Sequence, residues 1–214
     1  MIKNIIFDFD GVLVDSEILV ARAFCSYLSE RQISFTEQEF SLYAGKKTTQ
    51  VIDELSEKFQ ITEKQNFFDD IMNIANNIYS KELTSVSGAK NFLENNNFNY
   101  FIGSNSIKKR IMTGLQKVKF NHIFSEDKIF SFDMVKKPKP NPDIYLKVIE
   151  THNLNKNETI IIEDSAVGVR AGVSAGIKVF GLTAAGHWHF GRPNNELSNE
   201  GTTTIINSYD NLLI

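Results

Sequence analysis

Asp8 and Asp10 stand two residues apart in the segment Asp8-Phe9-Asp10-Gly11-Val12-Leu13-Val14-Asp15. Two carboxylates at that spacing can divide labour. One attacks a phosphorus or carbon centre as a nucleophile, while the other carries the proton of the leaving or attacking oxygen. Both are also hard oxygen donors for Mg2+, which takes one or two carboxylates and completes its shell with water and substrate phosphate. Gly11 lets the chain turn sharply and present backbone N–H groups inward. Against this stands the plain alternative of a polar turn after a strand, since short motifs recur by chance. Three further stretches bear on the choice. Ser104-Asn105-Ser106 offers hydroxyls and an amide to phosphate oxygens ahead of a helix N-terminus, with Ser106 read as the cap of that helix. Lys136, Lys137 and Lys139 lie in a proline-rich loop that runs to Asn141-Pro142-Asp143. A lysine between prolines is a rigidly placed cation able to neutralise phosphoryl charge, and three lysines compete for that role. Glu163-Asp164 follows Ile160-Ile161-Ile162, and two acids at the end of an apolar strand are costly unless something positive satisfies them.

The elements that must position these residues are legible as periodicities. Residues 2–7 form a short apolar, β-branched run without polar alternation, the pattern of a strand buried on both faces of a parallel sheet. Residues 100–103, 123–125, 159–162 and 177–180 share that style, and 203–206 reads as a last strand. Helical stripes fall between them. Ile107, Ile111 and Leu115 recur every four residues; Ile144, Tyr145, Val148 and Ile149 share a face behind Asn141-Pro142; Val169 and Val173 follow Ser165, with Gly176 where a C-cap glycine belongs. The repetition predicts an α/β fold with a doubly wound parallel sheet and sites at the carboxyl ends of its strands. Residues 16–82 break the rhythm and hold helical patterns alone. One stripe is Ile18, Ala21, Cys25 and Leu28, another Val51, Ile52, Leu55 and Phe59, and Thr36 with Glu39 and Thr62 with Gln65 have capping-box spacing. The expected organisation is a core of residues 1–15 and 83–214 with a small helical cap, 16–82, inserted after the first strand.

Composition narrows the function classes. The 214 residues are 42% hydrophobic with 17 Phe, enough for one substantial core plus an inserted subdomain. A net charge of −3 provides no global basic field, so neither nucleic acid nor an anionic membrane is an expected partner. A single cysteine, Cys25, rules out an internal disulfide framework and a cysteine-built zinc site. No apolar run is long enough to span a bilayer and no secretory pattern opens the chain, so a cytoplasmic protein is expected, and with no coiled-coil heptad or long exposed apolar stripe to demand a partner, a monomer. Gly186-His187-Trp188-His189, with no acidic neighbour in sequence, reads as a surface or partner-contact segment. Cys25 reads as core, and Lys108-Lys109-Arg110 as a solvated helix face.

Taken together and in order, the four stretches resemble the motifs of the haloacid-dehalogenase-like superfamily of aspartate-nucleophile hydrolases. Within it the chain is similar to the small-capped phosphatases and β-phosphoglucomutase, over nearly its whole length. The resemblance implies a Rossmann-like core and a cap that closes over the site. It implies Asp8 as the nucleophile that forms an aspartyl-phosphate and Asp10 as general acid, then base. Ser104 would grip a phosphate oxygen with Asn105 beside it, and Gly11 would contribute to the phosphate site. Lys139 matches the family's K-P-x-P-D pattern as Lys139-Pro140-Asn141-Pro142-Asp143, with Lys137 the alternative register. Mg2+ would be held by Asp8, Asp10, Asp164 and, directly or through water, Glu163. In the cap, Lys46, Lys47 and Thr48 occupy the place of a substrate-contact loop. Dehalogenases of the family lack the second aspartate, so Asp10 points to a phosphate ester. β-Phosphoglucomutases carry a cap histidine after the first motif and a cap arginine; here Asp15-Ser16-Glu17-Ile18 and Lys47-Thr48 stand in those places. The implied activity is therefore a Mg2+-dependent phosphatase for a small phosphorylated metabolite, similar to 6-phosphogluconate and other sugar-phosphate phosphatases. A phosphosugar mutase is the alternative, and a phosphate-binding module without catalysis is disfavoured because every acid and the lysine are present.

Overall fold

Asn4–Phe7 (β1) is buried along its whole length, with Ile5, Ile6 and Phe7 at 0% exposure. The structure, a computed structural model, describes residues 1–43, 48–188, 192–193 and 195–212. Within them the chain forms two compact units, Ser16–Leu83 and Met1–Asp15 with Thr84–Ile214.

The helical unit holds Glu17–Glu30 (α1), Glu37–Phe40 (α2), Thr48–Phe59 (α3) and Lys64–Glu82 (α4). Its interior shares Leu28, Val51, Ile52 and Leu55 with the expected stripes, but α1 also turns Phe24 and Tyr27 inward, packed with Phe67 and Ile71, while Cys25 and Phe59 are only partly buried. Thr36 and Glu39 form their capping box, each side chain meeting the other's backbone N–H. Thr62 and Gln65 do not: α4 starts at Lys64, and Glu63 at its N-cap accepts instead from the Asn66 amide.

The other unit is a six-stranded parallel sheet. Its further strands are Asn99–Ser104 (β2), Ile129–Ser131 (β3), Thr159–Glu163 (β4), Lys178–Leu182 (β5) and Thr204–Ile206 (β6), in the order β3-β2-β1-β4-β5-β6. Its helices are Ala89–Asn95 (α5), Lys108–Lys117 (α6), Asp143–Thr151 (α7), Ala166–Ser174 (α8) and Asn195–Ser198 (α9). The third strand lies six residues beyond the expected 123–125. That apolar run is instead a turn, in which Ile123 and Phe124 donate back to the Phe120 carbonyl. Phe124 is buried against Phe7 and Tyr100, so its hydrophobicity serves aromatic packing rather than ladder pairing. A run of three residues is too short for periodicity to separate the two outcomes.

The chain order reverses across β1, which pairs with β2 on one side and β4 on the other. Such a switch point opens a crevice at the carboxyl ends of the strands. Register makes it a meeting place: Phe7 is level with Ile102 and with Ile162, so Asp8, Gly103 and Glu163 stand side by side at the carboxyl ends of their strands. Ile6 packs with Tyr145, Val148 and Val169 from α7 and α8 on one face. Phe7 meets Phe92, Tyr100 and Tyr209 on the other. No helix among the described residues is long and apolar enough to cross a membrane.

Candidate active site

Asp8 continues the sheet, its N–H donating to the Ile162 carbonyl at 3.0 Å. Its carboxylate thus stands at the end of the central strand. Asp8, Glu163 and Asp164 form one buried cluster whose ligand-type atoms lie within 4.8 Å of one another. Lys139 enters from the loop before α7, with Nζ 2.6 Å from Asp8 Oδ1 and 2.6 Å from Glu163 Oε1. Lys139 is buried while Lys137 is exposed, so Lys139 is the lysine that faces the acids. Burial alone would push its ammonium toward neutrality. The adjacent Asp8 and Glu163 outweigh that and raise its pKa.

Two side chains hold this lysine. The Asn105 amide clamps the Lys139 backbone, accepting its N–H at 3.0 Å and donating to its carbonyl at 3.2 Å. That commitment differs from the expected grip of the Asn105 side chain on phosphate. Glu163 is the second anchor and is fully buried. Oε1 accepts from Lys139 Nζ and from the Tyr145 hydroxyl at 2.9 Å. Oε2 accepts from the Asp164 N–H, the Ser165 N–H and Ser165 Oγ at 3.0, 3.1 and 3.0 Å. A carboxylate has about four lone-pair sites, so these five donors leave Glu163 little capacity for a cation. Gly168 makes room for it, since a Cβ there would overlap the Glu163 carboxylate.

Burial, with Glu163 and Asp164 adding to it and Lys139 opposing, pushes Asp8 well above the ordinary carboxylate range. Burial and then Glu163 do the same to Asp164. Three carboxylates around one ammonium carry excess negative charge, which a bound cation neutralises. The donor set is oxygen, the kind hard divalent ions take, and Asp8 and Asp164 are the residues that fit such an ion.

Asp10 is not part of the cluster. Its carboxylate accepts from Ser106 Oγ at 2.5 Å and pairs with Arg110 at 3.2 Å. This departs from the expected Asp10 side-chain ligand. It also corrects two readings: Ser106 is no helix cap, since α6 is preceded by Ile107 without a side-chain bond, and Arg110 is more than a solvated face. Ser104 is buried, and its Oγ accepts from the Ser106 N–H at 3.1 Å while keeping its hydroxyl hydrogen to donate. Gly11 adopts φ +77°, and its N–H donates to the Val14 carbonyl at 2.7 Å rather than pointing toward a ligand. The glycine is required on two counts, for that φ and because a Cβ would overlap the Asp164 carboxylate. Thr48 begins α3 in the helical unit, and Lys46 and Lys47 lie outside the described residues.

Sequence reasoning missed Tyr145, Ser106, Arg110 and His187. His187 Nε2 is 3.0 Å from Asp164 Oδ2, which overturns the surface-segment reading of its loop; His189 lies outside the described residues. Tyr145 showed only as part of an apolar stripe, where a hydroxyl among aliphatics was the one available signal.

A parallel α/β sheet that gathers a strand-end aspartate, a buried lysine and further acids at its switch point is the architecture of an enzyme acting through carboxylates. The chain belongs to the haloacid dehalogenase-like hydrolase family, which it matches over residues 5–182. It is similar to 6-phosphogluconate phosphatase of Escherichia coli, 28% identical over 87% of this chain and 85% of that protein. It is also similar to the phosphorylated carbohydrates phosphatase of Thermotoga maritima, 28% identical over 84% of this chain and 85% of the relative. Among solved structures, a HAD family hydrolase from Deinococcus radiodurans with bound phosphate and sodium superposes with a TM-score of 0.84. That pair is 27% identical over 97% of this chain and 91% of the other.

Proposed function

We propose that the protein is a Mg2+-dependent phosphatase that hydrolyses a small sugar phosphate through an aspartyl-phosphate on Asp8. The observation that carries this reading is the Asp8 carboxylate, held at the end of β1 with Lys139 at 2.6 Å and Asp164 in the same cluster. Lys139 fixes Oδ1 and leaves Oδ2 to attack phosphorus. As the Asp8–phosphorus bond forms, the bond to the leaving sugar oxygen breaks, and Asp10 delivers a proton to that oxygen. In the second step water attacks the same phosphorus, Asp10 takes its proton, and the Asp8–phosphorus bond breaks to release inorganic phosphate. Ser106 and Arg110 donate to Asp10 and fix the orientation of its carboxyl group. Ser104 keeps a hydroxyl hydrogen for a phosphate oxygen. A divalent ion on Asp8 and Asp164 supplies charge neutralisation between an anionic nucleophile and an anionic substrate. Lys139 contributes to the same end from the other side, and Glu163, Tyr145 and Asn105 keep it there.

The choice of a sugar phosphate is supported by the two phosphatase relatives named above, both acting on phosphorylated carbohydrates or sugar acids by their names. The test is phosphate release from a panel of phosphorylated metabolites that includes 6-phosphogluconate and β-glucose 1-phosphate, with Mg2+ and with chelator. Mg2+-dependent release from sugar phosphates, lost in Asp8→Asn, is the expected result. Conversion of glucose 1-phosphate to the 6-phosphate without release would make the protein a mutase. Undiminished release by Asp8→Asn would remove Asp8 as the nucleophile.

A further inference from the structure

The loop after β5 carries Gly186-His187-Trp188 to the acidic cluster, and two contacts set it there. The Gly186 N–H donates to both oxygens of Asp15 at 3.1 Å each, so the end of the β1 loop fastens the β5 loop. One residue on, His187 Nε2 meets Asp164 Oδ2 at 3.0 Å, with the imidazole side chain only 14% exposed. The same ring edge borders Gly11, where a Cβ would lie 3.0 Å from His187 Cε1. Trp188 backs the imidazole with ring centroids 5.8 Å apart, and the Arg192 guanidinium stacks 4.0 Å over the Trp188 ring. The imidazole is therefore held from behind as well as by the carboxylate it meets.

We propose that His187 is a positioning residue for the cation site, its Nε2–H holding Asp164 Oδ2 so that Oδ1 is presented to a divalent ion in one orientation. The inference rests on the reading of Asp8 and Asp164 as cation ligands. The terminal torsion of an aspartate is broad, so an unrestrained Asp164 would sample many carboxylate planes. A donor on one oxygen removes that freedom before the ion arrives. Outer partners of this kind are worth about 10–100-fold in metal affinity. Asp15, through Gly186, fixes the approach of the loop and so the height of the imidazole above Asp164.

The test measures metal binding with no substrate present. The 214-residue chain is stripped with chelator and titrated with Mn2+, and free Mn2+ is counted by electron paramagnetic resonance. His187→Ala is expected to bind Mn2+ about tenfold or more weakly than the unsubstituted protein. His187→Gln, whose side-chain amide N–H reaches toward the position of Nε2, is expected to recover most of that loss. Thermal melts of the stripped variants check that the fold is intact. Wild-type affinity in His187→Ala overturns the proposal while leaving the cation site in place. A His187→Gln protein as weak as His187→Ala also overturns it, because hydrogen-bond donation would then not be the imidazole's role. Absence of Mn2+ binding by the unsubstituted chain removes the cation reading itself and this inference with it.

Discussion

Replacing Glu163 by Gln changes one carboxylate oxygen into an NH2 group at nearly constant volume. Glu163 is fully buried, and its two oxygens accept five hydrogen bonds. The hydroxyls of Tyr145 and Ser165 can turn to accept from the new NH2 group, whereas the Lys139 ammonium and the N–H groups of Asp164 and Ser165 can only donate. An amide nitrogen at the Oε2 position therefore orphans two buried backbone donors at roughly 1–3 kcal/mol each. At the Oε1 position it removes one partner from a buried ion pair, a loss of about 3–5 kcal/mol. Either orientation gives an expected destabilisation of about 2–6 kcal/mol. Removing one of three clustered negative charges acts in the opposite direction. If Glu163 were simply a cation-facing carboxylate, that relief would dominate and the metal-free variant would be the more stable protein. The sign therefore separates an internal anchor from a ligand. Urea unfolding near neutral pH in chelator, followed by circular dichroism, measures it, with an unchanged m-value as the check on two-state behaviour. A melting temperature lower by about 5–15 °C is the thermal counterpart for a chain of this size. A urea midpoint equal to or above that of the unsubstituted protein would refute the reasoning.

Three other perturbations follow from the same geometry. Lys139→Ala is expected to lower the rate of phosphate release about a hundredfold or more, in the range of other transition-state charge contacts, while exposed Lys137→Ala leaves it unchanged; the reverse pattern in a steady-state assay would exchange the two assignments. Asp8 and Asp164, raised above the ordinary value of 3.8, keep protons in the folded chain at pH values where the unfolded chain has lost them. Protons thus favour the folded state. The metal-free protein should lose stability as pH rises from about 4 through the raised values, and Mg2+ should restore it by mass action. Urea midpoints that climb with pH across that interval in chelator would contradict this. Gly11→Ala, which forces a Cβ onto φ +77° and against Asp164, is expected to cost roughly 1–3 kcal/mol in urea unfolding and to weaken Mn2+ binding; a silent substitution would contradict the packing at that turn.

Much of this site was legible before any coordinates because each piece is encoded locally. An apolar run of β-branched residues makes a buried strand, and a polar residue directly after it must emerge at that strand's end. Asp8, Ser104 and Glu163-Asp164 are such residues, and parallel pairing at the register of Phe7 with Ile102 and Ile162 sets Asp8 level with Gly103 and Glu163, with Ser104 and Asp164 one residue further on. Helical periodicity likewise marked the Val51, Ile52 and Leu55 stripe of α3 and the face of Ile144, Tyr145 and Val148, though in α1 it passed over the buried Phe24 and Tyr27. What the sequence could not decide was the partner of each polar atom. Ser106 and Arg110 meet Asp10 across 96 and 100 residues, Asn105 clamps Lys139 across 34, and His187 meets Asp164 from a loop whose Gly186 N–H donates to Asp15. A hydroxyl ahead of a helix can cap it or turn to a carboxylate. A glutamate beside an aspartate can bind a cation or spend its lone pairs on five donors. Local spacing is compatible with either outcome in both cases. The choice depends on which donors and acceptors the whole sheet delivers to one buried volume, where an unpaired group costs more than a local preference can supply.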